Sequence, residues 1–99
     1  MVPIALSGPL TRAEVRDQLA RLQTQMQDHL RAAQAAGSQV PMEVDLGGLT
    51  QVDTSALAMM LAVERAAKAH GLAVHWRSMP SSLQALARLS SVEPFFHSV

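Results

Sequence analysis

The 99-residue chain has no cysteine and no tyrosine, and aromatic residues make up only 3% of it. Without cysteine there is no disulfide framework and no thiolate zinc site, and the composition fits the cytosol. With so few aromatics the core has to be built from aliphatic residues, alanine and methionine, and stacking platforms for bases are missing. An excess of charge is missing too. Eight Lys and Arg balance eight Asp and Glu, which removes the basic footprint of a nucleic-acid binder. No apolar run reaches membrane-spanning length. The richest stretch, Ala56 to Val63, is broken by Glu64 and Arg65, so no direct membrane insertion is expected. The opening Met1-Val2-Pro3-Ile4 lacks the positive region and cleavage site of a secretory signal. Repeats, linkers and low-complexity segments are also absent. What is present is 48% hydrophobic residues, enough for one core and one domain spanning 1–99. The expectation is a small soluble cytoplasmic domain.

Hydrophobic periodicity gives the order of elements. Ile4 and Leu6 alternate with Ala5 and Ser7, a short strand expected to end at Ser7-Gly8-Pro9. Thr11 and Glu14 have capping-box spacing. Behind them Val15, Leu19, Leu22, Met26 and Leu30 form one helical stripe, predicting a helix over 12–36 that stops at Gly37. Val40, Met42, Val44 and Leu46 alternate with Pro41, Glu43 and Asp45, a strand expected to end at Gly47-Gly48. A second helix follows from about Thr54 to His70, then a strand through Leu72, Val74 and Trp76. A last helix opens at Pro80-Ser81-Ser82, carries Leu83, Leu86 and Leu89, and ends before Glu93-Pro94. The alternation is α/β. The strands over 40–46 and 72–77 should be parallel, and their polar alternate positions place the helices mainly on one face.

Chemistry concentrates in the segment joining the second strand to the second helix, Asp45 to Leu57. Asp53 has the position of an N-cap, and Thr54 and Ser55 fit ordinary first-turn residues. Gly47-Gly48 belongs to neither phosphate-loop fingerprint. The four histidines, His29, His70, His75 and His97, have no ligand spacing backed by a carboxylate, so no metal site and no cofactor are expected. No nucleophile, base and orienting group come together in the pattern, so no enzyme is expected.

The second helix holds a feature that the core does not require. Projected at about 100° per residue, Met59, Met60, Val63, Ala66, Ala67 and His70 share a broad face expected to meet the sheet. Glu64 and Lys68, an i,i+4 pair, mark the opposite side, and Leu57 and Leu61 project with them. Those two leucines are either covered by the segment around Leu49 or by Phe95-Phe96, or they are open to a partner. Two such side chains, worth roughly 1.5–3 kcal/mol each when buried, suffice for a modest interface.

At these residues the sequence resembles a STAS domain, the fold shared by anti-sigma-factor antagonists and sulphate-transporter tails. The matching parts are Leu6-Ser7-Gly8-Pro9-Leu10-Thr11, Val44-Asp45-Leu46-Gly47-Gly48-Leu49, Val52-Asp53-Thr54-Ser55-Ala56-Leu57 and Ala67-Lys68-Ala69-His70-Gly71-Leu72. Within the family, Asp53 to Leu61 is most similar to the MlaB type. Thr54 matches the threonine of the MlaB motif, Ser55 matches the phosphorylated serine of the antagonists, and Ala56 replaces the usual glycine. The resemblance implies a STAS-like fold with a small mixed sheet of three to four strands. STAS domains usually carry one more strand ahead of Ile4, expected here to be missing or shortened. The bare edge this leaves would suit a partner or a second copy, as in a homodimer.

For function the resemblance implies a non-catalytic subunit that binds and supports the ATPase of the Mla ABC transporter, which moves phospholipid between the membranes of Gram-negative bacteria. Such a subunit is cytoplasmic and peripheral to the inner membrane through its partner. Asp53, Thr54, Ser55, Leu57 and Leu61 are the expected partner-binding residues. The alternative is an anti-sigma-factor antagonist, partnered by an anti-sigma-factor kinase and switched by phosphorylation at Ser55 or Thr54. The added charge beside Asp53 would oppose docking. A third reading, a lipid or small-molecule module lined by the six methionines, is weaker, because methionine at helical spacing usually packs in a core.

Overall fold

A computed structural model describes residues 4–37, 41–90, 92 and 96–98. The elements are β1 (Ile4–Leu10), α1 (Val15–Ala36), β2 (Met42–Val52), α2 (Thr54–Ala69), β3 (Val74–Arg77), α3 (Ser81–Leu89) and β4 (His97–Ser98). The alternation expected from the sequence is present. β4 was not anticipated, since two residues are too few to show a period. The expected strand start at Val40 and the expected helix stop at Glu93-Pro94 lie outside the described residues.

The strand order is β1-β2-β3-β4, and every pairing is parallel. The sheet is therefore wholly parallel among the described strands, where a mixed one was expected. The chain steps across it in one direction only. Right-handed crossovers then put all three helices on the same face, with α2 in the middle, packed against α1 on one side and α3 on the other. Met42, Val44, Leu46, Val74 and Trp76 are buried beneath that layer, while Glu43, Asp45 and His75 are half-buried and Arg77 is exposed. The bare face is held by polar contacts suited to water. Arg77 Nη1 lies 3.2 Å from Glu43 Oε2, diagonal to it across β2 and β3.

β2 does not end at Gly47-Gly48, and β1 does not end at Ser7-Gly8-Pro9. Both continue as a pair, Ser7 opposite Gly48, Gly8 opposite Leu49, Pro9 opposite Gln51 and Leu10 opposite Val52, with two register shifts, between Ala5 and Ser7 and between Gly8 and Pro9, each of which takes one extra residue on β2. The glycines serve closeness and bulging instead of a turn. A Cβ on Gly48 would stand 2.9 Å from the Leu6 carbonyl oxygen, and Gly8 takes φ +78° beside the second shift. Pro9 is tolerated because β1 is an edge of the described sheet. The ladder that does stop here is β2 with β3. Asp45 Oδ1 accepts the Gly47 N–H at 2.8 Å, and Ser78 turns the chain away at φ 56°. The extended β1–β2 pair carries Val52 directly to the start of α2.

α1 begins at Val15, after a turn over 12–14, and stops at Gly37 with φ 71°. Half of the expected capping box forms. Glu14 Oε1 accepts from the Thr11 N–H at 2.8 Å and from the Thr11 hydroxyl at 2.6 Å. Leu22 and Met26 are buried against the core, with Val15, Leu19 and Leu30 packed at its margin.

Candidate functional site

The carboxyl ends of β1 and β2 lie side by side, so the starts of α1 and α2 are neighbours. Asp53 joins them. Its backbone is extended, and its Oδ1 accepts the Ser55 N–H at 2.8 Å, capping α2 as the sequence predicted. Its Oδ2 accepts the Arg12 N–H at 3.2 Å, in the turn that precedes α1. One carboxylate thus fixes two helix starts, a link across 41 residues that no local spacing reveals.

Glu14 stands close enough to Asp53 to feel its charge, which raises the Glu14 pKa. The hydroxyl and then the N–H of Thr11 outweigh that repulsion and hold it below its ordinary 4.5. Helix amino ends attract anions, but here the protein's own carboxylates fill that role. The arrangement leaves no ready phosphate cradle at this loop. It also leaves Asp53 unsuited to act as a general base toward Thr54 or Ser55, because both its oxygens already accept backbone N–H groups. Thr54 is exposed and Ser55 half-buried, so of the paired hydroxyls the first faces outward.

The leucines on α2 differ from the projection. Leu57 is 4% exposed and belongs to the core, and Leu61 is half-buried and packed against it. The projection treats the helix as lying alone on a sheet. α2 lies between two other helices, so its buried arc widens to take in Ala56, Leu57, Met59, Met60, Val63 and Ala67. His70, expected on the buried face, is exposed at the helix end. The expected Glu64–Lys68 pair is absent as well. The Trp76 indole N–H donates to Glu64 Oε1 at 2.7 Å, so Glu64 belongs to the β3 flank of the helix. Phe95, one of the expected covers, lies outside the described residues. Phe96 is buried and meets Trp76 edge-on at a centroid distance of 6.2 Å.

Two exposed positions escaped the sequence reading. Ala58 lies one turn beyond Thr54 on the outer side of α2, and small side chains carry no hydropathy signal. Leu89 was placed with Leu83 and Leu86 on the α3 stripe, yet it is 84% exposed while Leu83 is fully buried. A short helix of nine residues allows either flank to carry a terminal leucine. The methionines Met26, Met42, Met59 and Met60 are core residues. A depression of about 490 Å³ lies at the other end of the helical layer, lined by Gln27, Leu30, Arg31, Gln34 and His70 among others and by none of those methionines. No helix among the described residues is long and apolar enough to cross a membrane.

Comparison with known proteins bears on this geometry. The profile of the family described as Mlab, STAS domain matches residues 2–95. A search of curated proteins found no match. The chain belongs to the MlaB-type STAS family, whose domains are generally binding and adaptor modules.

Proposed function

We propose that this chain is a non-catalytic adaptor that docks on the ATPase subunit of an Mla-type phospholipid-transport ABC system and supports its assembly or activity. In that role it is cytoplasmic and reaches the inner membrane only through its partner. The observation that carries the reading is the outward Thr54 at a doubly fixed helix start, followed along the same side of α2 by exposed Ala58 and half-buried Leu61. A surface of this kind is rigid before binding, which lowers the ordering cost of docking. Family membership supports it, and so does the engagement of both Asp53 oxygens in structural hydrogen bonds. Leu57, being core, drops out of the contact set. Asp53 acts indirectly, by setting the helix start.

The phosphorylation switch draws less support, since the half-buried Ser55 is the residue that matches the modified position. Co-expression with the cognate ATPase tests the adaptor reading. Thr54→Arg should abolish co-purification while circular dichroism and melting stay those of the wild type, and Thr54→Ser should keep it. A folded Thr54→Arg variant that still co-purifies in full would refute the proposed surface.

A further inference from the structure

Local spacing gives none of the four histidines a ligand partner, but the sheet brings two of them together. His75 on β3 is paired in register with His97 on β4, and on its other side with Glu43 on β2. Neighbouring strands lie about 4.7–4.9 Å apart, and residues paired across them share a face of the sheet. That face is the uncovered one. Val74 and Trp76, on either side of His75, are buried under the helices, and Phe96, the residue before His97, is buried against Trp76. Alternation along each strand then places Glu43, His75 and His97 in one row on the side that carries no helix.

Two neighbouring histidines are suited to a borderline-soft divalent ion such as zinc. Among the described residues no three His, Asp or Glu side chains are gathered into a metal-holding group, so what the register builds is a two-histidine site completed by water. Its surroundings suit a cation. Glu43 and Asp45 lie along β2 beside the row, both half-buried, and the charge of Arg77 is offset by Glu43 at 3.2 Å. A metal-bound histidine commonly donates its second ring N–H to a carboxylate, and Glu43 holds the register position next to His75. The chain has no cysteine to compete for the ion.

We propose that β3 and β4 carry a zinc site in which His75 and His97 bind one ion, fastening the two-residue β4, and Phe96 with it, onto the edge of β3. The site lies on the opposite face of the sheet from α2 and is independent of the adaptor reading.

Calorimetric titration of zinc chloride into the untagged, chelator-treated full chain tests it. One ion per chain should bind at a Kd of about 100 µM or tighter, and saturation should raise the melting temperature by about 5 °C or more. His75→Gln and His97→Gln, each checked for folding by circular dichroism, should weaken binding by about tenfold or more. His97→Cys should retain it, since a thiolate also binds zinc, which separates loss of a ligand from loss of β4. Copper(II) should quench the emission of Trp76, the one tryptophan of the chain, in the wild type and not in the two glutamine variants. No saturable binding at about 1 mM zinc would overturn the proposal. Binding within about twofold of the wild type in either glutamine variant would overturn it as well, by moving the ion to another part of the fold.

Discussion

Removing the Asp53 carboxylate should loosen two helix starts together. In Asp53→Ala the α2 cap is lost, at a cost of about 1 kcal/mol within a range of 0.5–2. The acceptor for the Arg12 N–H is lost as well, at 3.2 Å and exposed, so its share belongs near the low end of the usual net value, about 0.5 kcal/mol. The sum is about 1.5 kcal/mol. For a domain of this size, 1 kcal/mol moves the melting temperature by about 4–8 °C, so Asp53→Ala should melt roughly 6–12 °C lower. Asp53→Asn separates the two contributions. Its side-chain oxygen can still cap Ser55, but its amide nitrogen cannot accept from Arg12, and the loss should be roughly a third of that in Asp53→Ala. Thermal and urea unfolding followed by circular dichroism give both numbers, with hydrogen exchange at the Arg12 and Ser55 amides as the local readout. An Asp53→Ala protein as stable as the wild type, with both amides still protected, would refute the claim that this carboxylate organises the site.

Three further outcomes follow from packing and charge. Leu57→Ala should cost about 2–5 kcal/mol of stability, visible in urea unfolding, because the side chain is core; a variant of unchanged stability would contradict its burial. Gly48→Ala sets a methyl group 2.9 Å from the Leu6 carbonyl oxygen and should destabilise by about 1–3 kcal/mol, with exchange rising first along β1. Glu14 has a lowered pKa in the fold, so its contribution is complete above its unfolded pKa and is lost as pH falls through the lower folded value. Glu14→Gln should therefore narrow the stability gap to the wild type as the solution is acidified through the carboxylate range, and a gap that stays constant there would contradict the Thr11 contact.

The order of elements was legible because α1 is long and amphipathic and β2 alternates cleanly through Met42, Val44 and Leu46. Asp53 as a cap was legible for the same reason, since capping depends on the adjacent residues alone. The strand ends at Gly8 and Gly48 were not, because a glycine needed for close approach and a glycine needed for a turn look alike until the neighbouring strand is placed. Leu57 shows the same limit. Its burial depends on what packs around α2, and a projection of α2 by itself contains no neighbouring helix. Leu89 fails in the opposite sense, as its spacing from Leu86 fits the stripe while the flank on which it sits is uncovered. The Asp53–Arg12 bond was invisible because it depends on β1 and β2 delivering their helices to the same edge. Each miss turns on a tertiary placement, covered or uncovered, that local pattern cannot encode.

The adaptor claim meets its most direct test in the affinity of the folded wild-type chain for its cognate ATPase subunit. The account predicts saturable binding, one chain per ATPase, at a Kd of about 1 µM or tighter, with protection from hydrogen exchange concentrated at the start of α2. A correctly folded chain that yields no binding heat and no protection at roughly 100-fold that concentration would contradict it.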